Sequence, residues 1–255
     1  MHKLFDLTGR VAMITGGGQG IGRIYAHAYA AAGARVVIAE RHADNAARVA
    51  AEVETAGGEA LAVTTDVASA DSAGAAVAAS LERFGQLDIL VNNAGIFSTI
   101  KMRPFTEIPL EEWEQVLQVN LTGPFLMARA VAPAMKARGW GRIINMGSAA
   151  VTMGRPGYLH YIASKSALEG MASSLARELG QYGITANTIL PGAVETEIER
   201  ETVTPEQRAQ MIAMRCVSRA QTPDDLVGTL LFLSSDASAF LTGQSLTVDG
   251  GLTFK

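Results

Sequence analysis

Val11-Ala12-Met13-Ile14-Thr15-Gly16-Gly17-Gly18-Gln19-Gly20-Ile21-Gly22 is the stretch on which the fold turns. Its first five residues read as a short buried strand. A glycine cluster follows, then an Ala-rich helical run to about Ala32, with Gly33 well placed to stop it. Arg35-Val36-Val37-Ile38-Ala39 is the next strand, closed by Glu40-Arg41. Strand, glycine loop, helix and strand make a βαβ unit. Without side chains, the glycines let the backbone turn tightly and let a pyrophosphate approach. The helix that follows offers that anion unpaired N–H groups and a partial positive charge. The spacing through Gly16, Gly20 and Gly22 is G-x3-G-x-G and not G-x-G-x-x-G. A purely structural glycine turn is the alternative reading of this element alone.

The same alternation continues outward. Asp44 to Thr55 reads as an amphipathic helix ended by Gly57-Gly58, and Ala60 to Thr64 as a third strand. Asp66-Val67 after it are placed to meet an adenine edge. Ala70 to Phe84 reads as a helix. Leu87 to Val91 reads as a strand buried on both faces, because its apolar run is unbroken. It ends in Asn92-Asn93-Ala94-Gly95, small enough to leave room beside a ribose. After a loop from Pro104 to Pro109, a long helix over Leu110–Met135 contains Asn120, which needs a partner: a water or a neighbouring carbonyl. Arg142 to Met146 reads as a fifth strand. Ala167 to Tyr182 continues a helix with small residues on one face, suited to packing on a symmetry mate. Gly183 to Ile189 is a sixth strand ending at Pro191-Gly192, residues 195–217 a helical lid, Asp224 to Ser234 a helix, and Ser245 to Val248 a last strand. No linker, repeat or low-complexity tract interrupts the chain, so residues 1–255 are expected to form one domain.

Composition narrows the function classes. With 48% hydrophobic and 18% charged residues, the chain can build a large core and is not disordered. A net charge of −4 leaves no broad basic footprint, so a nucleic-acid partner is not expected. Cys216 is the only cysteine, which excludes an intrachain disulfide or a thiolate cluster. In its Met-rich surroundings it is expected to be a small buried hydrophobe. His2, His27, His42 and His160 lack ligand spacing, and no metal is expected. The segment Met1 to Asp6 lacks the apolar core of a secretory signal, and no apolar run is long enough to span a bilayer. A cytoplasmic setting is the expectation.

Chemistry concentrates between Gly141 and Lys165. Ser148 follows the fifth strand, and a loop leads to a helix with Tyr161 and Lys165. Residues four apart share a helix face, so the Lys165 ammonium can approach the Tyr161 phenol. Bringing a phenol pKa from about 10 to about 7 takes roughly 4 kcal/mol, within reach of a nearby cation in a partly desolvated site. Such a phenol exchanges a proton at neutral pH, and Ser148 can hydrogen-bond the same substrate oxygen. In isolation, a Tyr and a Lys at this spacing are more often a chance pair on a solvated helix face. Glu40, ending the second strand, can accept hydrogen bonds from both ribose hydroxyls and repels a 2′-phosphate by about 1–4 kcal/mol. Arg41 pulls the other way, since a guanidinium can pair with that phosphate.

Taken together, the residues resemble the short-chain dehydrogenase/reductase family over nearly the whole chain. The likeness rests on Thr15 with Gly16, Gly20 and Gly22; on Asn92-Asn93-Ala94-Gly95, Asn120 and Ser148; on Tyr161 with Lys165; and on Pro191-Gly192 with Thr196, and Asp249-Gly250-Gly251. It implies an α/β Rossmann fold, a doubly wound seven-stranded parallel sheet ordered 3-2-1-4-5-6-7, with the cofactor at the carboxyl edge. It implies Tyr161 as acid/base, Ser148 orienting the carbonyl oxygen, Lys165 lowering the tyrosine pKa and binding the nicotinamide ribose, and Asn120 supporting a relay water. Cofactor contacts are expected from Gly16, Gln19, Gly20, Ile21, Gly22, Glu40 and Arg41, then Asp66 and Val67, then Asn93, Ala94 and Gly95. Tyr161, Lys165, Pro191, Gly192, Val194 and Thr196, the last at the carboxamide, complete them. Gln19 stands where a base in this family often marks NADP, which agrees with Glu40 in favouring NAD over NADP. The implied reaction is reversible hydride transfer between the nicotinamide and a secondary alcohol or ketone, in a homotetramer paired through long helices and carboxyl-terminal strands.

Ile96, Phe97, Ala149, Ala150, Met153, Leu159 and the lid are expected to choose the substrate, and their character suggests an apolar or aryl-alkyl one. His160 either lines that pocket or packs locally. Similarity to NADPH-using 3-oxoacyl-carrier-protein reductases is a second reading, although no basic docking patch is evident. A non-catalytic cofactor sensor is a third, opposed by the intact Asn120, Ser148, Tyr161 and Lys165.

Overall fold

The structure, a computed structural model, describes residues 5–198 and 204–254. Seven strands form one sheet in the order β3-β2-β1-β4-β5-β6-β7, and every neighbouring pair is parallel. They are β1 (Val11–Thr15), β2 (Arg35–Glu40), β3 (Ala60–Thr64), β4 (Ile89–Asn92), β5 (Gly141–Met146), β6 (Ile184–Pro191) and β7 (Ser245–Val248). Helices α1 (Gly20–Ala31), α2 (Ala43–Thr55), α3 (Ala70–Phe84), α4 (Leu110–Leu117), α5 (Gly123–Arg138), α6 (Ala150–Met153), α7 (Leu159–Leu179), α8 (Pro205–Ala213) and α9 (Asp224–Ser234) complete the order.

Successive strand residues point to opposite faces, and the apolar runs therefore feed two cores. Ala12, Ile14, Val36, Ile38, Val91 and Ile144 pack with Tyr25 and Tyr29 of α1, Val49 and Val53 of α2, and Leu226 and Leu230 of α9. Val11, Met13, Val37, Leu90 and Ile143 pack on the other side with Val77 and Phe84 of α3 and Met127, Val131 and Met135 of α5. The amino edge is pinned by Asp88, which has no exposed surface. Its carboxylate accepts from the Val11 N–H at 2.8 Å and pairs with Arg10 at 3.5 Å and Arg138 at 3.2 Å. Near the same rim, the Arg10 and Arg142 guanidinium groups lie 3.6 and 4.1 Å from the Trp140 ring centroid. At the carboxyl edge, connections leave β1 and β4 in opposite directions, which opens a crevice between their ends.

Several expectations are refined. The long helix expected over Leu110–Met135 is interrupted by a π-helical stretch, Gln118–Thr122, and runs on to Arg138. The loop from Pro104 to Pro109 holds a 3-10 turn, Phe105–Glu107. In the expected lid the described part is helical over Pro205–Ala213, with a Thr204–Gln207 capping box; residues 199–203 lie outside the described residues. Cys216 is not buried but exposed. Its neighbours Met214 and Val217 are 64% and 52% exposed, so the apolar composition there marks an outward-facing turn and not a core segment. Among the described residues, no helix is long and apolar enough to cross a membrane.

Candidate active site

The crevice at the carboxyl edge contains two adjoining cavities. The outer one, about 300 Å³, is bordered by Gly16, Gln19, Glu40, Arg41, Asp66, Val67, Ala94 and Thr196, among others. The inner one, about 180 Å³, is bordered by Ser148, Tyr161, Lys165, Pro191, Gly192 and Val194, among others. Ile21, Asn93, Gly95, Ile96 and Phe97 line both, so the two are neighbours sharing these residues.

The outer cavity takes its shape from the glycine loop. Gly16 has φ +63°, and a Cβ there would come 2.9 Å from the Ala94 Cα. A Cβ on Gly22 would collide with the Gly16 carbonyl. The loop is tied to the end of β4: Asn93 Nδ2 donates to the Thr15 and Gly16 carbonyls at 3.0 and 3.1 Å. Thr15 Oγ1 accepts from the N–H groups of Asn93 and Ala94, each at 3.0 Å. From α2, Arg48 donates to the Gly18 carbonyl at 2.7 Å. Gly20 and Gly22 lie off the cavity wall, but the Gly20 N–H at the start of α1 donates to the Glu197 carboxylate at 2.8 Å. That carboxylate stands in for an anion at a helix N-terminus, as a phosphate would. Glu40, 6% exposed, accepts from the N–H groups of Gly18 at 3.3 Å and His42 at 3.1 Å. The loop's donors, its lack of Cβ atoms and its rim acid fit a dinucleotide.

Tyr161 and Lys165 lie on the first turns of α7, 8% and 6% exposed. Phe97 covers the Tyr161 ring with centroids 4.6 Å apart. Lys165 Nζ is 5.9 Å from that ring centroid and donates to the Met146 carbonyl at 2.7 Å. Burial pushes the Lys165 pKa down to about 8. Ser148 follows β5, where its Oγ accepts from the Ala150 N–H at 3.2 Å. Asn120 is fully buried and lines neither cavity. Its amide instead takes the Ile96 N–H at 2.7 Å and gives to the Ile96 carbonyl at 3.1 Å. Asn120 thus meets a neighbouring carbonyl, one of the two partners expected of it. A Cβ on Gly95 would lie 3.3 Å from Asn120 Oδ1 and 3.4 Å from Lys165 Nζ, so this glycine keeps open the space that both face.

Of the expected substrate-choosing residues, Ile96, Phe97, Ala149, Ala150 and Met153 border the inner cavity. Leu159 does not, and is 46% exposed. His160 packs locally: it is fully buried with Nε2 3.0 Å from Glu112. Met211 of α8, within the expected lid segment, also lines the cavity. Arg155 and Leu252 also line it and escaped the sequence reading. Leu252 arrives because Asp249 accepts from the N–H groups of Gly251, Leu252 and Thr253, curling the tail inward. Aspartate followed by two glycines was the available signal.

A family model described as Enoyl-(Acyl carrier protein) reductase matches residues 16–253. A 3-oxoacyl-[acyl-carrier-protein] reductase of Synechocystis is 40% identical, covering 96% of this chain and 98% of the relative. A D-threitol dehydrogenase of Mycolicibacterium smegmatis is 38% identical, covering 98% and 95%. A crystal structure of a gluconate 5-dehydrogenase from Burkholderia cenocepacia, in complex with NADP and tartrate, superposes with a TM-score of 0.93 at 38% identity and covers 98% of each chain.

Proposed function

The chain belongs to the short-chain dehydrogenase/reductase family, and from that premise we propose that it interconverts a secondary alcohol and a ketone with a nicotinamide dinucleotide. One observation carries the reading. Ser148, Tyr161 and Lys165 border a single small cavity that adjoins the glycine-loop crevice. When bound, the nicotinamide supplies or accepts the hydride. The Tyr161 hydroxyl gives a proton to the ketone oxygen, or takes it from the alcohol in the reverse direction. Ser148 Oγ donates a hydrogen bond to that oxygen and fixes its direction. Lys165 holds a positive charge beside the phenol and favours its ionised form. Asn120 fixes the backbone at Ile96 and so shapes the gap at Gly95, where a water-borne proton path would run. The apolar Ile96, Phe97, Met153 and Met211 suit a substrate with an apolar body.

Glu40 at the rim supports NAD as the preferred dinucleotide. Arg41 borders the same cavity, and two solved relatives are described as binding NADP, which keeps NADP as the second reading. Glu40→Ala is expected to lower the NAD-to-NADP ratio of kcat/KM about tenfold or more; an unchanged ratio removes the role given to Glu40. A homotetramer is part of the proposal, supported by Phe125 and Phe240 standing exposed near the helix and strand surfaces that would pair. The central test follows NADH absorbance with a panel of alcohols and ketones. Tyr161→Phe should lose roughly 10²–10⁴-fold in kcat while still binding NADH. Undiminished turnover in that variant would sink the assignment.

A further inference from the structure

The inner cavity has one feature at odds with its apolar wall. Among the described residues two cationic side chains border it, Lys165 and Arg155, and no Asp or Glu does. Lys165 is engaged by the Met146 carbonyl. Arg155 stands in the loop between α6 and α7, and among the described residues it makes no ion pair. Its guanidinium carbon lies 5.3 Å from the ring centroid of Tyr158, which is 1% exposed and therefore a fixed platform. The loop itself is braced, since the Arg155 N–H reaches back to the Ala150 carbonyl at 3.4 Å. It is bounded by Gly154 and Gly157, both in the left-handed region.

A guanidinium is weakly hydrated, remains charged, and presents a planar row of N–H donors. Contact with an aromatic ring engages its face, and the N–H edge is the part that matches a carboxylate with two parallel hydrogen bonds. Beside Met153, Met211, Leu252, Ile96 and Phe97, such a group offers a polar anchor in a mostly apolar cavity. The cavity is about 180 Å³, and Lys165, Pro191, Gly192 and Val194 on its wall are assigned to the cofactor, so the space left to a substrate suits a small molecule. Resting on the secondary-alcohol/ketone reading above, we infer that Arg155 receives a carboxylate of the substrate. The substrate class is then an oxo acid or hydroxy acid whose body between the two ends is short and apolar. Arg155 sets specificity and has no part in the proton transfer.

The test pairs acids with neutral isosteres. Acetoacetate, levulinate and benzoylacetate, each beside its methyl ester, are titrated by calorimetry into the protein saturated with NAD, where no ketone can turn over. At least one acid should bind about tenfold or more tightly than its ester, as expected for a charge-assisted pair. In Arg155→Ala that acid-to-ester ratio should collapse toward one, and in Arg155→Lys it should be partly kept. With NADH present, the same ratio in kcat/KM should follow. The inference is overturned if acid and ester bind alike, or if Arg155→Ala weakens both equally. It also falls if the acetoacetyl thioester of N-acetylcysteamine is used better than every acid. The two readings fail separately. Turnover of neutral ketones with no acid preference removes the anion site and leaves the chemistry. An Arg155-dependent acid preference in binding, with no Tyr161-dependent turnover, removes the chemistry and leaves the site.

Discussion

Lys165 carries a charge in a place that resists it. The side chain is 6% exposed, it donates to the neutral Met146 carbonyl, and burial brings its pKa from 10.5 to about 8. Below the folded value the ammonium is protonated in both states, and the folded state bears the full desolvation cost. As pH rises between the two values, the folded protein gives up the proton first and the unfolded chain binds more protons, so stability rises with pH. Relative to Lys165→Met, the wild-type protein without cofactor should gain roughly 2–3 kcal/mol between about pH 7 and pH 10. Urea midpoints of the pair measure it, and a difference that stays flat across that range refutes it. The spacing of Tyr161 and Lys165 was legible because a helix repeat makes residues four apart neighbours whatever surrounds them. Arg155 was not. Its place on a cavity wall exists only because segments remote in sequence, carrying Met211 and Leu252, line the same cavity.

At the scale of elements, strands were easier to read than helix detail. Unbroken apolar runs such as Val36 to Ala39 have one stable home, a strand covered on both faces. The π-helical stretch Gln118–Thr122 inside the long helix left no mark, because apolar periodicity over Leu110–Met135 is blind to one locally widened turn. That turn holds Asn120, whose amide satisfies both backbone groups of Ile96. Asn120→Ala leaves an N–H and a carbonyl without that partner, at about 1–3 kcal/mol each where buried. A loss of roughly 2–5 kcal/mol in urea unfolding is expected, and a loss below about 1 kcal/mol would show that the bracket is dispensable. Cys216 taught the converse. Composition without a period cannot say which way a segment faces, and the apolar residues around it turned outward.

Across the whole molecule, the amino edge of the sheet holds the Asp88 ion pairs and the carboxyl edge holds both cavities. Strand order could be anticipated from the resemblance, because right-handed crossovers leave few ways to stack a βαβ series. Side-chain pairing across the sheet, such as Asn92 Nδ2 to Asn145 Oδ1 at 2.9 Å, needed the register. Surfaces that meet other copies are least legible, since an exposed apolar residue is ordinary when it stands alone. Phe125 on α5, 48% exposed, is the side chain on which the proposed assembly is most simply probed. The wild-type protein should sediment as a tetramer and Phe125→Glu as a smaller species; a monomeric wild type would end the assembly proposal. Trp140, clasped by two guanidinium groups and donating to Asp236 at 3.1 Å, belongs to the rim away from the chemistry. Its indole emission is thus an optical gauge built into the chain. With Trp113→Phe removing the chain's other indole, the signal answers to whether that rim is intact, which lets melting of the unliganded protein be followed by light.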